Sequence, residues 1–189
     1  ALLEGAGDAD KFIESLCKKY VEWHDLQYSD PNQRRAPGNT CLIGCNHLKQ
    51  GVHWEESGVP ASTGCGSAMR SAPIGLFFER VEKIVDYAIN SSKPTHPNEL
   101  AECAAVGSSF VTYLALHGEP PGVWANELLK VVSINKEFKH IINLAAETAA
   151  MRLDPWHALS TECIGEGWTG HEAVASALYC CMMNPNSYK

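Results

Sequence analysis

No run in this chain of 189 residues approaches the roughly 20 consecutive apolar residues that a membrane-spanning helix needs. The opening Ala1-Leu2-Leu3-Glu4-Gly5 has no basic segment followed by an apolar stretch, so a secretory signal is not expected. Both absences point to a soluble, cytoplasmic protein with no membrane partner. Positive charge is also scarce. Fifteen basic residues face 22 acidic ones, for a net charge of -7, and no basic cluster exceeds a pair such as Lys18-Lys19 or Arg34-Arg35. A phosphate backbone would find no electrostatic footprint here, which argues against a nucleic-acid partner. Segments that alternate apolar and polar residues are missing too, so strands are not expected, and no internal repeat is visible.

The composition that is present fits one packed domain, with 45% apolar and 20% charged residues. Eight cysteines could suggest a disulfide framework. Cys17, Cys103, Cys180 and Cys181, however, lie inside amphipathic segments, and free, mostly buried thiols are expected. Cys41-x3-Cys45 with His47 close by could share a helix face around zinc, or could be an ordinary core or surface pair.

Helical periodicity recurs along the chain. Phe12, Ile13, Leu16, Tyr20 and Trp23 predict a first helix over about 11–24, behind Asp8 and Asp10. A polar, proline-containing connection over 27–38 precedes a second helix over about 39–49, and a further break spans 51–66. Apolar stripes follow at Phe77 to Ala88, Leu100 to Leu114, Trp124 to Val131, Phe138 to Ala145 and Ala173 to Cys181, the last closed by Asn184-Pro185. The fold class predicted is all-α, a single multi-helix domain over 1–189.

Three loops could carry chemistry. In Thr63-Gly64-Cys65-Gly66-Ser67-Ala68-Met69-Arg70, two glycines flank one residue just ahead of a helical stretch. Such a loop can turn its backbone N–H groups to an anion, or can be simply a tight turn. In Lys93-Pro94-Thr95-His96-Pro97-Asn98-Glu99, His96 could donate to a phosphate or ribose oxygen. Alternatively Thr95 or Asn98 caps the next helix and His96 is solvated. Gly165-Glu166-Gly167-Trp168 places an indole on a turn, for stacking on a base or for closing the core.

In this order the segments Gly64 to Arg70 with Ala72-Pro73, Thr95-His96, and Gly165 to Trp168 leading to Ala177-Leu178-Tyr179-Cys180 resemble the ADP-ribosylglycohydrolase family. That family includes the dinitrogenase-reductase-activating glycohydrolases and the related J1 crystallins. Gly38-Asn39-Thr40, Leu116-His117-Gly118 and the opening residues add to the resemblance, which runs over essentially the whole chain. It implies hydrolysis of the bond between ribose C1 of ADP-ribose and an acceptor. The ligand residues it implies are Gly64, Cys65, Gly66 and Ser67 around a phosphate, His96 at the diphosphate or adjoining ribose, and Gly165, Gly167 and Trp168 along the cleft. Where the family usually has Asn between the two glycines, this chain has Cys65.

The resemblance also implies two divalent ions, Mg2+ or Mn2+, held by an Asp-Asp-Thr motif near the family's N-terminus and a Gly-Asp-Ser/Thr-Asp motif near its C-terminus. Neither motif is found in this chain, which ends at Asn186-Ser187-Tyr188-Lys189. The expectation is therefore the middle section of the domain, truncated at both ends, with no metal ligands and no catalytic base of its own, inactive alone. Gly7-Asp8-Ala9-Asp10 imitates the second motif, and is either a magnesium site or an ordinary Asp-rich helix start. A non-catalytic, crystallin-like structural or ADP-ribose-binding protein of the same fold is the alternative. An unrelated helical interaction domain remains a third, which would leave the three loops far apart.

Overall fold

The computed structural model describes residues 1–5, 7–34, 36–132 and 135–186. Arg35 of the Arg34-Arg35 pair and Ser187 to Lys189 of the C-terminal segment lie outside the described residues. The chain is all-α: α1 (Ala9–Ser29), α2 (Asn39–Lys49), α3 (Gly66–Phe77), α4 (Val81–Ser92), α5 (Glu99–Leu116), α6 (Pro121–Val131), α7 (Lys136–Ala150), the single turn α8 (Pro155–Ala158) and α9 (Gly170–Met183). Among the described residues there is no strand, only one isolated antiparallel bridge between Gly64 and Thr169.

Helix starts follow from side chains that satisfy the free N–H groups of a first turn. Asp8 accepts from the N–H groups of Asp10 and Lys11 at α1, Asn98 from Leu100 at α5, and Asn135 from Phe138 at α7. Thr169 and Glu172 form a reciprocal capping box at α9. The second helix begins and ends where its sequence predicts, at 39 and 49. The first runs five residues further, to Ser29, with Trp23 36% exposed rather than inside the buried stripe.

The apolar stretch read as one stripe from Phe77 to Ala88 is two helices. α3 ends at Phe77, and α4 starts at Val81 after an extended Phe78 and Arg80. Pro73 lies inside α3, where its ring removes one backbone N–H from the helix.

α5 is the centre of the molecule, packed by α3, α4, α6, α7 and α9. Its Ala101, Ala104, Ala105 and Ser109 are fully buried. The facing residues of α3 are equally small: Ser67, Ser71 and Gly75 recur every four residues, and the Ser67 and Ser109 hydroxyls donate across the interface to the carbonyls of Ala101 and Ser71, both at 2.9 Å. Around this close pair Phe12, Ile84, Tyr87, Leu128, Phe138, Ile142, Leu178 and Tyr179 fill the core. All eight cysteines are free thiols.

Candidate functional site

The three loops meet at the start of α3. Cys65 N–H donates to the Trp168 carbonyl at 3.3 Å, and Gly170 N–H donates to the Thr63 carbonyl at 2.8 Å, flanking the Gly64–Thr169 bridge. Residues a hundred positions apart are thus zipped backbone to backbone. His96 packs beneath the glycine loop. A Cβ on Gly66 would lie 2.8 Å from His96 Cε1 and 2.9 Å from Cys41 Sγ, and a Cβ on Gly64 would lie 3.5 Å from His96 Nε2. Glycine at 66 is therefore demanded by the histidine ring, which no local turn rule reveals.

Of the eight residues singled out in the sequence, Gly64, Cys65, Gly66, His96 and Trp168 meet here, Ser67 follows in the first turn of α3, and Gly165 and Gly167 lie in the loop that leads into Trp168, with Gly165 against Glu172. Cys65 is the N-cap of α3 and makes no side-chain capping bond, so it leaves the N–H groups of that first turn without a side-chain acceptor. Ser67 is fully buried and its hydroxyl is taken by Ala101, so what it can offer a ligand is its backbone N–H. Gly165 and Gly167 have φ of +105° and +82°, the left-handed region that favours glycine. Trp168 is 77% exposed, with its Nε1–H donated to Glu166 at 3.1 Å, so its ring faces solvent and does not close the core.

His96 is 2% exposed. The capping half of the alternative reading is right, since Asn98 caps α5, but the histidine is not solvated. Burial first, and then the Arg70 charge, push its pKa down to about 4, so the ring is neutral at neutral pH. Nδ1 lies 2.8 Å from Thr95 Oγ1.

Arg70, Thr95 and Cys41 are neighbours of this site; the sequence offers Thr95 as a helix cap and Cys41 as a zinc ligand or an ordinary pair, and assigns Arg70 no role of its own. Arg70 spans the junction: its guanidinium donates to the carbonyls of Gly66 and Ser91, both at 2.9 Å, and to Thr95 Oγ1 at 2.6 Å, while its charge lies over the Tyr20 ring. The only sequence signal for it is its place within the glycine segment. Beside the loop, Ser62 Oγ pairs with Thr40 Oγ1 at 2.9 Å and faces the Gly64 N–H at 3.4 Å.

A cleft of about 270 Å³ between α3, α5 and α9 opens next to the loop, lined by Ala68, Met69, Gly107, Val111, Val174 and Ala177 among others. A wider one of about 650 Å³ lies elsewhere, between α1 and α2. Its charged side chains pair with each other, Asp25 with Lys49 at 2.7 Å and with His24 at 3.2 Å, and none of the three loops lines it, so the loop junction is the better candidate despite its smaller cleft.

Among the described residues no three His, Cys, Asp or Glu side chains converge as metal ligands, so the residues described do not fit a pair of divalent ions. The Asp8 carboxylate is committed to its cap and to Lys11 at 3.6 Å. His47 Nδ1 is bonded to the Ser57 carbonyl at 2.7 Å, and among the described residues Cys41, Cys45 and His47 do not converge as a metal-binding group.

Fold and junction define an all-α protein with a glycine loop at an uncapped helix start, underlain by a buried neutral histidine. Comparison with known proteins makes the assignment specific: a family model described as ADP-ribosylglycohydrolase matches residues 1–189, and the chain belongs to that family. It is 34% identical over 110 residues to an uncharacterized protein of Archaeoglobus fulgidus, covering 58% of this chain and 32% of that one. It is 28% identical over 109 residues to a putative ADP-ribosyl glycohydrolase of Acanthamoeba polyphaga mimivirus, covering 54% and 21%. With an ADP-ribosylhydrolase of Dictyostelium discoideum it shares 26% identity over 129 residues, covering 63% and 33%. The matched region spans a third or less of each relative's length.

Proposed function

We propose that residues 1–189 form one domain that holds the ADP-ribose part of the substrate in a hydrolase of this family, whose whole reaction cleaves the bond between ribose C1 and a protein or small-molecule acceptor. The convergence of three sequence-distant loops on the start of α3 carries this reading. The Gly66 and Ser67 N–H groups, the ones in this loop not already donated within the protein, receive a phosphate, helped by the positive end of α3. His96 Nε2, beneath the two glycines, serves a diphosphate or ribose oxygen. The exposed Trp168 ring stacks on the adenine, and Gly165 and Gly167 allow its loop to turn along the cleft.

Two divalent ions, magnesium or manganese, are expected of the full family domain. No step is assigned through a metal, and the reading for the chain by itself is binding of ADP-ribose without hydrolysis. A cytoplasmic location belongs to the same proposal and is supported by eight free thiols. No helix described is long and apolar enough to cross a membrane.

Calorimetric titration of ADP-ribose, with and without magnesium, tests the reading. The expected result is binding insensitive to magnesium, abolished by His96→Ala and weakened about tenfold by Trp168→Ala, the scale of one stacked base. Absence of binding would sink the ligand role. Magnesium-dependent release of ADP-ribose from a modified protein would overturn the inactivity of the chain alone.

A further inference from the structure

Arg70, Thr95 and His96 form a hydrogen-bonded chain that ends under the glycine loop. Arg70 Nη2 donates to Thr95 Oγ1 at 2.6 Å, and since a guanidinium carries only donors, the direction of that bond is fixed. The Thr95 hydroxyl then has one proton to place. Two acceptors are in reach, the Ser92 carbonyl at 3.4 Å and His96 Nδ1 at 2.8 Å. The shorter bond wins on geometry, and the cation bonded to the oxygen polarises the hydroxyl into a stronger donor. If Nδ1 accepts, the ring proton of the neutral imidazole sits on Nε2.

We propose that Arg70 and Thr95 are positioning residues that fix His96 as its Nε2–H tautomer, so that the ring presents a donor to the glycine loop and to any ligand oxygen seated on it. The ligand clause rests on the function proposed above; the tautomer does not. The backbone supports the same arrangement. His96 N–H donates to the Ser92 carbonyl at 2.8 Å, and the Ser92 hydroxyl donates back to the His96 carbonyl at 3.0 Å, which holds the ring's base in place. Nε2 makes no hydrogen bond among the described residues and lies beside the loop, 3.2 Å and 3.5 Å from where a Cβ on Gly66 and on Gly64 would stand. A donor at that point selects phosphate, carbonyl or ribose hydroxyl oxygens, and disfavours an amine or a cation.

Long-range proton–nitrogen correlation spectra of the nitrogen-15-labelled chain at pH 7 decide the matter, with His96 assigned by the loss of its signals in His96→Gln. The expected pattern has a protonated Nε2 and an unprotonated Nδ1. Thr95→Ser keeps this pattern, whereas Thr95→Val shifts the ring toward a mixture containing Nδ1–H. A wild-type spectrum with the proton on Nδ1, or with both nitrogens protonated, overturns the proposal even if Thr95→Val fails to fold. An unchanged pattern in a folded Thr95→Val overturns the role of Thr95. Because no ligand is present, the spectra are independent of the ADP-ribose titration, and failure of one leaves the other standing.

Discussion

At the scale of single residues, the buried histidine sets a measurable pH dependence. His96 titrates ordinarily near 6.5 and is held near 4 in the fold, chiefly by burial. The unfolded chain therefore binds a proton between those values that the folded chain refuses, so stability is complete above about pH 6.5 and falls as the pH drops toward 4. A tenfold change in proton affinity is worth about 1.4 kcal/mol, which makes the loss between pH 7 and pH 4.5 on the order of 2 kcal/mol. His171 is also pushed down by burial and acts in the same direction, so the test is a difference. Urea unfolding of wild type and His96→Gln at both pH values is expected to show a smaller loss in the variant by on the order of 2 kcal/mol. Equal losses would mean that His96 is not buried in its neutral form.

At the scale of elements, the pairing of α3 with α5 positions everything at the site. The glycine loop hangs from the first turn of α3, and Asn98, two residues past His96, caps the start of α5. Their close approach requires small side chains, and Gly75 is the tightest point: a Cβ there would lie 1.8 Å from the Ser109 carbonyl oxygen and 3.1 Å from Tyr113 N. Backbone cannot yield as a flexible side chain does. Gly75→Ala is therefore expected to destabilise by at least about 3 kcal/mol, the upper range for overpacking, measured by chemical denaturation. Gly122→Ala, on α6 where a Cβ meets nothing within 4 Å, is the control and should be neutral or stabilising by up to about 1 kcal/mol. Equal effects at the two positions would remove the steric account of α3 against α5.

For the whole molecule, the cysteines report the integrity of the fold. Cys45 and Cys103 are buried, and desolvation pushes both thiols up to about 12; Cys17 rises to about 11 for the same reason. Cys180 is exposed. Alkylation of the native protein, read by mass spectrometry, is expected to modify Cys180 first and to reach Cys45 and Cys103 only on unfolding, with all eight thiols then reactive. Rapid labelling of Cys103 under native conditions would contradict the burial of the α5 core.

The sequence by itself determined the fold class, the family and most helices, because those rest on local information. Three- and four-residue apolar steps and capping residues act within one turn, so α2 and α5 to α7 were legible, as were the three loops in order. Tertiary structure alone decided the division of 66–92 into α3 and α4, since the small-residue ridge Ser67, Ser71 and Gly75 has no apolar signal until Ala101, Ala105 and Ser109 stand opposite it. It also decided between the open readings of His96 and Trp168: a loop histidine is solvated or buried according to what lies over it, here Gly64 and Gly66, and an indole on a turn is core or surface according to the helices behind it. Arg70 gained its role the same way, because its partners Ser91 and Thr95 are more than twenty positions away in the chain and converge only when α3 packs against α4 and α5.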